Sequence, residues 1–144
     1  MESEMEKMLA QEWVKELLAK PLLARLGTAN AKTGQPHVTP VWYHWQNGCI
    51  YISVFASTRK GREVLSNPKI SVLIDVNEPT QAVLMEGTAQ VVSGTEEVRL
   101  RSEEIYARYV GEQVVKKDPY AGWARDPDNR LIILKPDKVY SWNW

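Results

Sequence analysis

The chain of 144 residues is poor in the side chains that build disulfide frameworks and metal centres. It contains one cysteine, Cys49, and two histidines, His37 and His44. A single cysteine excludes an intrachain disulfide and is typical of a protein of the reducing cytosol. Two histidines and one cysteine scattered among strands do not make a metal site, so the sequence predicts none.

The sequence also lacks an excess of either charge and a long apolar run. Eighteen basic residues balance eighteen acidic ones, so the field expected of a nucleic-acid-binding protein is absent. No run approaches the length of a membrane-spanning helix, and the acidic opening Met1-Glu2-Ser3-Glu4 has the wrong charge for a secretion signal. We therefore expect one cytoplasmic domain over residues 1–144 that binds neither nucleic acid nor a membrane.

The most informative stretch is Ser57-Thr58-Arg59-Lys60, which separates a predicted strand, Cys49–Phe55, from a short predicted helix, Arg59–Leu65. Thr58 or Ser57 is then the N-cap, and basic side chains fill the first turn, where they oppose the helix dipole. A bound anion would reverse that penalty, because amide N–H groups, hydroxyls, a guanidinium and an ammonium together suit a phosphate. The alternative is an ordinary capped helix with solvated basic residues.

Strand patterns dominate the rest of the chain. An apolar stripe predicts a helix over residues 5–20, and Ser93-Gly94-Thr95-Glu96 matches a capping box that opens a longer helix. Residues 111–130 are predicted to be irregular. The predicted strands cover residues 22–29, 36–45, 49–55, 69–76, 81–92, 131–135 and 138–142, with Asn47-Gly48 as the clearest hairpin turn.

These elements predict a mainly β fold. About six to seven antiparallel strands with few helices favour a split, partly closed antiparallel barrel. The helices are an N-terminal helix, the short helix after the Ser57-Thr58-Arg59-Lys60 stretch and one longer helix. Pro40 lies inside the second predicted strand and cannot donate a ladder hydrogen bond, which places that strand at a sheet edge or a bulge. Backbone groups of its neighbours then face something other than a partner strand.

Four segments occur in a recognisable order: Pro36 to Tyr43, the hairpin into Ile50-Tyr51-Ile52, Ser57 to Lys60, and Asn67 to Ile74. In this order they resemble the pyridoxamine 5′-phosphate oxidase-like, flavin-binding split-barrel superfamily. The segment from Ile133 to Trp142 is similar to the branch whose members use FMN or a deazaflavin coenzyme. The basic Arg-Leu-Ala-Pro ending of true pyridoxamine-phosphate oxidases is replaced here, so the resemblance does not imply synthesis of pyridoxal phosphate.

The resemblance implies a set of cofactor-binding residues at an interface between two subunits. The residues implied for the phosphate are Ser57, Thr58, Arg59 and Lys60, and those implied for the ring and its surroundings are Thr39, Pro40, Val41, Trp42, Ser53, Val54 and Gln81. Members of this family are homodimers with the cofactor at the interface. Trp142, Trp144 or residues 111–130 are therefore candidates to act across it.

The resemblance implies an FMN-binding oxidoreductase that transfers hydride or electrons between the cofactor ring and a small planar substrate. One alternative is a reductase of the same fold that uses the deazaflavin coenzyme F-420, whose acidic tail Lys116-Lys117 would suit. Another is a non-catalytic sensor or carrier of FMN or haem. A barrel that stacks single-stranded nucleic acid on Trp42, Tyr43 and Trp45 is disfavoured by the neutral charge.

The sequence contains no convincing protein nucleophile or acid–base pair, so no catalytic side chain is predicted. His37 and His44 are candidates for proton transfer near the ring. The simpler interpretation is that both are surface or strand histidines with no catalytic role.

Overall fold

A computed structural model describes residues 2–94 and 96–144. The strands are β1 (Ala24–Ala29), β2 (Pro36–Val41), β3 (His44–Gln46), β4 (Cys49–Phe55), β5 (Lys69–Val76), β6 (Gln81–Thr88), β7 (Gln90–Ser93), β8 (Asn129–Leu134) and β9 (Lys138–Asn143). The helices are α1 (Glu4–Leu9), α2 (Glu12–Ala19), α3 (Arg59–Ser66), α4 (Glu96–Val110) and α5 (Tyr120–Arg125), with a 3₁₀ turn at Val114–Lys116.

The strands form two antiparallel sheets rather than one closed barrel. The five-stranded sheet has the order β2-β1-β5-β6-β9, and the four-stranded sheet has the order β3-β4-β8-β7. The expectation of a mainly β, split-barrel fold is confirmed, with β5 at the centre of the larger sheet and β2, the strand of Pro40, at its edge.

Several local predictions are confirmed. The predicted strand over residues 49–55 and the one over residues 69–76 have the bounds of β4 and β5. Asn47 and Gly48 both have positive φ, 54° and 75°, as the tight hairpin between β3 and β4 requires. Thr58 is the N-cap of α3. The predicted capping box includes Thr95, which lies outside the described residues.

The number of strands was underestimated because two long predicted strands each bend and change sheet. The strand predicted over residues 36–45 ends at Val41 and resumes at His44, as β2 in one sheet and β3 in the other. The strand predicted over residues 81–92 is interrupted at Ala89, whose N–H donates to the Pro68 carbonyl at 2.8 Å instead of to a ladder partner. The described residues therefore form nine strands rather than six to seven.

The helix predictions need two corrections. The helix expected over residues 5–20 is two helices, because Gln11 adopts an extended conformation between α1 and α2. Both helices pack on the same core, α2 through buried apolar side chains and α1 through partly buried ones. Residues 111–130 are not irregular: they form the 3₁₀ turn and α5, which pack against α4.

The main core lies between the two sheets and under α1 and α2, and a second apolar cluster lies between α4 and the outer face of the four-stranded sheet. None of the helices built by the described residues combines the length and apolar character that crossing a bilayer requires.

Candidate functional site

The candidate site is the start of α3, where the chain leaves β4. The Thr58 hydroxyl accepts the Gly61 N–H at 3.2 Å and donates to the Phe55 carbonyl at 2.7 Å, so it caps the helix and closes the turn before it. A Cβ on Gly61 would lie 2.1 Å from the Phe55 carbonyl oxygen. Glycine is therefore required for α3 to start this close to the end of β4. We call Ser57, Thr58, Arg59 and Lys60 the α3 head.

The basic side chains at the start of α3 differ in their hydrogen-bond and ion-pair partners. Arg59 is half exposed and donates through Nε to the Glu63 carboxylate at 3.4 Å, which leaves its terminal nitrogens for another acceptor. Arg62 donates to the Ser57 carbonyl. In the part of the chain that the structure describes, the side chain of Lys60 makes no ion pair or hydrogen bond. The first amides of α3 have no acceptor within the helix.

Glu63 is a buried carboxylate that joins α3 to the first two strands. It accepts a hydrogen bond from the Thr28 hydroxyl at 2.8 Å, and His37 Nδ1 lies 3.3 Å from the same oxygen, within ion-pair distance but out of hydrogen-bond alignment. The Thr28 hydrogen bond lowers the pKa of Glu63 against the opposing effect of burial, and Arg59 and His37 add to the lowering. Glu63 therefore carries a charge that holds α3 and Arg59 against β1 and β2.

The edge strand β2 is linked to α3 through His37 and Glu63. His37 and Thr39 share the inner face of this strand, and Glu63 of α3 contacts His37. The Thr39 hydroxyl oxygen is buried and has no hydrogen-bond partner among the described residues. Pro40 is exposed on the opposite face, and Val41 is buried in the main core. The strand with the unpaired edge and the unsatisfied hydroxyl is therefore the one that Glu63 connects to the helix of Arg59 and Lys60.

Trp42 lies between β2 and β3, and its ring is committed to packing. It stacks on Tyr109 with ring centroids 4.6 Å apart and an interplanar angle of 3°, and it meets the edge of Tyr106 at 6.1 Å. The resemblance implies a contact between the cofactor ring and the backbone of Trp42, and the packing of the side chain leaves that prediction in place.

The side chains of Ser53 and Val54 also point into packed regions. Ser53 belongs to a hydrogen-bond network beneath α4: it donates to Asn129 at 2.7 Å and lies 3.0 Å from the Tyr106 hydroxyl. Val54 is 5% exposed in the main core. Gln81 lies at the far end of β6, where its amide donates to Asn143 at 3.3 Å. Within one chain the fold thus brings β2, the end of β4 and the α3 head together, and leaves Gln81 apart.

Ser57 is bound by a residue that the sequence analysis missed. Asp128 Oδ2 accepts the Ser57 hydroxyl at 2.5 Å and the Ser57 N–H at 3.2 Å. The Ser57 hydroxyl bond is the main cause that lowers the pKa of Asp128. Glu63 was missed as well, although its place four residues after Arg59 is the spacing of a helical ion pair. Nothing in the sequence near Asp128 connects it with Ser57.

A groove of about 620 Å³ lies on the outer face of the five-stranded sheet, and its lining includes Thr28 and His37, the two strand residues that contact Glu63. One cross-strand row forms its floor: Val38, Gly27, Ser71, Glu86 and Lys138. Gly27 leaves space that the Ser71 hydroxyl fills, since a Cβ there would lie 2.4 Å from that oxygen. The mixed charges of this groove do not suit a phosphate.

The histidines are far from forming a metal centre. Within residues 2–94 and 96–144, no three His, Cys, Asp or Glu side chains are placed to share a metal ion. His44 lies 3.9 Å from Glu104, and burial lowers its pKa, with Arg108 acting in the same direction. His37 is the histidine nearer the α3 head, through Glu63.

Comparisons with known proteins identify the family and similar folds. The sequence family described as Pyridoxamine 5′-phosphate oxidase matches residues 10–143. A search of curated proteins gives no match. Similar solved structures include a conserved hypothetical protein from Mycobacterium tuberculosis, with a TM-score of 0.78 and 21% identity over 93% of this chain and 84% of that one.

Two further structures have the same fold. One is an F420 reductase, with a TM-score of 0.70 and 19% identity over 88% of this chain and 94% of that chain. The other is the haem storage protein HutZ from Vibrio cholerae, with a TM-score of 0.73 and 16% identity over 92% of this chain and 93% of that chain. At these identities the likeness concerns the fold.

Proposed function

This chain belongs to the pyridoxamine 5′-phosphate oxidase family, and we propose that it is an oxidoreductase that binds FMN or the deazaflavin coenzyme F-420. The substrate is a small planar molecule that stacks on the exposed face of the cofactor ring. The observation that carries this proposal is the α3 head, whose cationic donors and helix amides belong to a helix that Glu63 links to the edge strand β2.

The α3 head has the chemistry of a phosphate site. Lys60 is without a partner in the described chain, and Arg59 has free terminal nitrogens because Glu63 holds only its Nε. Both stand where the helix dipole is positive, so an anion relieves a repulsion that the free protein carries. We assign the cofactor phosphate to Arg59, Lys60 and the first amides of α3.

The ring is assigned to the edge of β2. The backbone of Thr39, Val41 and Trp42 lies along this edge, with Pro40 unable to donate to a further strand. The unsatisfied Thr39 hydroxyl is a donor for a polar atom of the ring. A bound flavin or deazaflavin supplies the hydride or electrons, and the chain binds the ring, orients it and excludes water.

The outer face of the five-stranded sheet is assigned to a second copy of the chain. Directly paired residues place Arg25, Leu73, Leu84 and Tyr140 in one row of this face, and Trp142 stands in the next. Tyr140 is 43% exposed and Trp142 37% exposed. Aromatic and aliphatic side chains on an open sheet face are typical of a subunit interface.

The experiment that tests the function is a titration of the purified protein, freed of bound small molecules, with FMN, coenzyme F-420 and haem. We expect FMN or coenzyme F-420 to bind with micromolar or tighter affinity, and a reduced pyridine nucleotide or a planar electron acceptor to change the cofactor absorbance with turnover. Binding of haem alone would replace the proposal with a haem carrier. Binding without turnover against a panel of planar acceptors would leave a cofactor-binding sensor.

A further inference from the structure

The α3 head already holds a carboxylate of the chain itself. Asp128 takes both donors of Ser57, the hydroxyl at 2.5 Å and the N–H at 3.2 Å. Its own carbonyl accepts the Ala56 N–H at 2.8 Å, so side chain and backbone fix it to the segment that enters α3. Two donors that a phosphate would otherwise use are therefore occupied by an anion.

The charge of Asp128 is not neutralised by a direct ion pair in the described chain. Arg130, the nearest base on its own segment, donates to the Pro127 carbonyl at 2.7 Å and to the Asn129 carbonyl at 3.1 Å. Ser57, a neutral residue, is its hydrogen-bond partner. Any ligand phosphate beside Ser57 is thus placed between the cations of Arg59 and Lys60 and the anion of Asp128.

Phosphate esters differ in the charge they bring to such a position. A phosphomonoester carries nearly two negative charges above its second pKa, which is about 6. A phosphodiester carries one. The second charge is attracted by Arg59 and Lys60 but repelled by the Asp128 carboxylate that is bound to Ser57. Asp128 therefore weakens the binding of a dianion more than the binding of a monoanion.

We propose that Asp128 is a specificity-determining residue of the α3 head, which disfavours a doubly charged phosphomonoester and favours a singly charged phosphodiester. The inference rests on the proposed function, and it narrows the cofactor to a flavin-type ring whose phosphate continues through a second ester bond into a further group.

The test compares Asp128→Asn with the natural chain at about pH 8, where the phosphomonoester is fully ionised. The probes are FMN, its methyl phosphodiester and riboflavin, measured by quenching of flavin fluorescence. Asparagine keeps a carbonyl oxygen for the Ser57 hydroxyl and removes the charge. We expect Asp128→Asn to bind FMN about tenfold more tightly and the methyl ester about threefold more tightly, because the single charge of the ester halves the repulsion. The affinity for riboflavin, which has no phosphate, should change less than about twofold.

Glu112→Gln, which removes one exposed negative charge beyond the end of α4, is the matched control and leaves all three affinities unchanged. Thermal unfolding verifies that each variant is folded, and Asp128→Ala replaces Asp128→Asn if the latter is not. An FMN affinity that stays equal or falls, while Lys60→Ala still weakens FMN binding, overturns the role of Asp128 alone. If the natural chain binds none of the probes and no deazaflavin, the proposed function fails and this inference fails with it.

Discussion

Thr28 donates its hydroxyl hydrogen to the carboxylate of Glu63 at 2.8 Å, although the two residues are 35 positions apart. This bond anchors the helix of the candidate site on the first strand of the fold. Both side chains are buried, at 4% and 6% exposure, so the carboxylate keeps its charge only with the help of its partners. The position of Arg59 depends on that charge.

Replacing Glu63 with glutamine should change how stability depends on pH. The pKa of Glu63 is lower in the folded chain than the ordinary value of 4.5, so its contribution is present above that value and is lost as the pH falls through the folded pKa. We expect the free energy of unfolding of Glu63→Gln to fall less steeply between about pH 5 and pH 3. Urea unfolding across this range measures the effect. Glu16→Gln, at an exposed position of α2, should retain the slope of the natural chain, and an equally unchanged slope in Glu63→Gln would contradict the assignment.

Removing either cation of the α3 head should weaken cofactor binding. A hydrogen bond to a charged group contributes about 1.5–3 kcal/mol, so Arg59→Ala and Lys60→Ala should each raise the Kd for FMN or a deazaflavin by roughly ten- to a hundredfold. Isothermal titration calorimetry gives the change directly. Lys15→Ala on the exposed side of α2 serves as the charge control. Affinities that match the natural chain in both variants would remove the phosphate from the α3 head.

Removing the hydroxyl of Tyr43 should destabilise the junction between the N-terminal helices and the sheets. The fully buried Tyr43 donates towards the Lys20 carbonyl at 2.8 Å and the Leu18 carbonyl at 3.0 Å, and burial raises its pKa to about 12. Its hydrogen is therefore in place at neutral pH. We expect Tyr43→Phe to lose about 0.5–1.5 kcal/mol of unfolding free energy, measured by urea denaturation at pH 7. Tyr140→Phe on β9 is the control, since it keeps the ring assigned to the subunit interface and removes a hydroxyl that makes no hydrogen bond within the described chain. It should leave the unfolding free energy unchanged, and equal losses in the two variants would refute the role of Tyr43.

A charge in the middle of the outer sheet face should separate the proposed dimer. Leu84 lies between Leu73 and Tyr140 in the row that crosses this face. Burying an unpaired carboxylate there costs more than an interface tolerates, so Leu84→Glu should sediment with the mass of one chain. Leu100→Glu, at a residue of α4 that is 47% exposed, should sediment like the natural chain. A natural chain that is monomeric at all concentrations tested would refute the dimer itself.

Much of the fold was readable from short patterns because local chemistry decides it. Thr58 as the cap, the Asn47-Gly48 turn and Pro40 at an edge each follow from one residue's hydrogen-bonding or backbone preference. The bends at Trp42–Tyr43 and Ala89 were not predicted, since the residues there can all occur in strands. What decides those bends is the change from one sheet to the other, which is a property of the whole fold.

The site was predicted in part for the same reason. Arg59 and Lys60 were singled out because their charges oppose the dipole of their own helix. Glu63 and Asp128 contact Thr28, His37 and Ser57 across long sequence separations, so short patterns do not reveal them. The resemblance implied that the backbone of Trp42 meets the cofactor ring and that Ser53 lines the pocket. Long-range contacts that the sequence does not reveal give the Trp42 ring a stacking partner in Tyr109 and the Ser53 hydroxyl a neighbour in Tyr106.

Two stretches of chain, β2 to β3 and β6 to β7, pass from one sheet directly into the other. The β4–β5 and β8–β9 connections cross between the sheets as well, so continuous backbone joins the two halves of the molecule at four places. Neither half can separate from the other by moving about a single linker. Hydrogen exchange of the backbone amides should accordingly show one cooperative opening for both sheets. The α3 head is then attached to two sheets that keep their structure while ligands bind and dissociate.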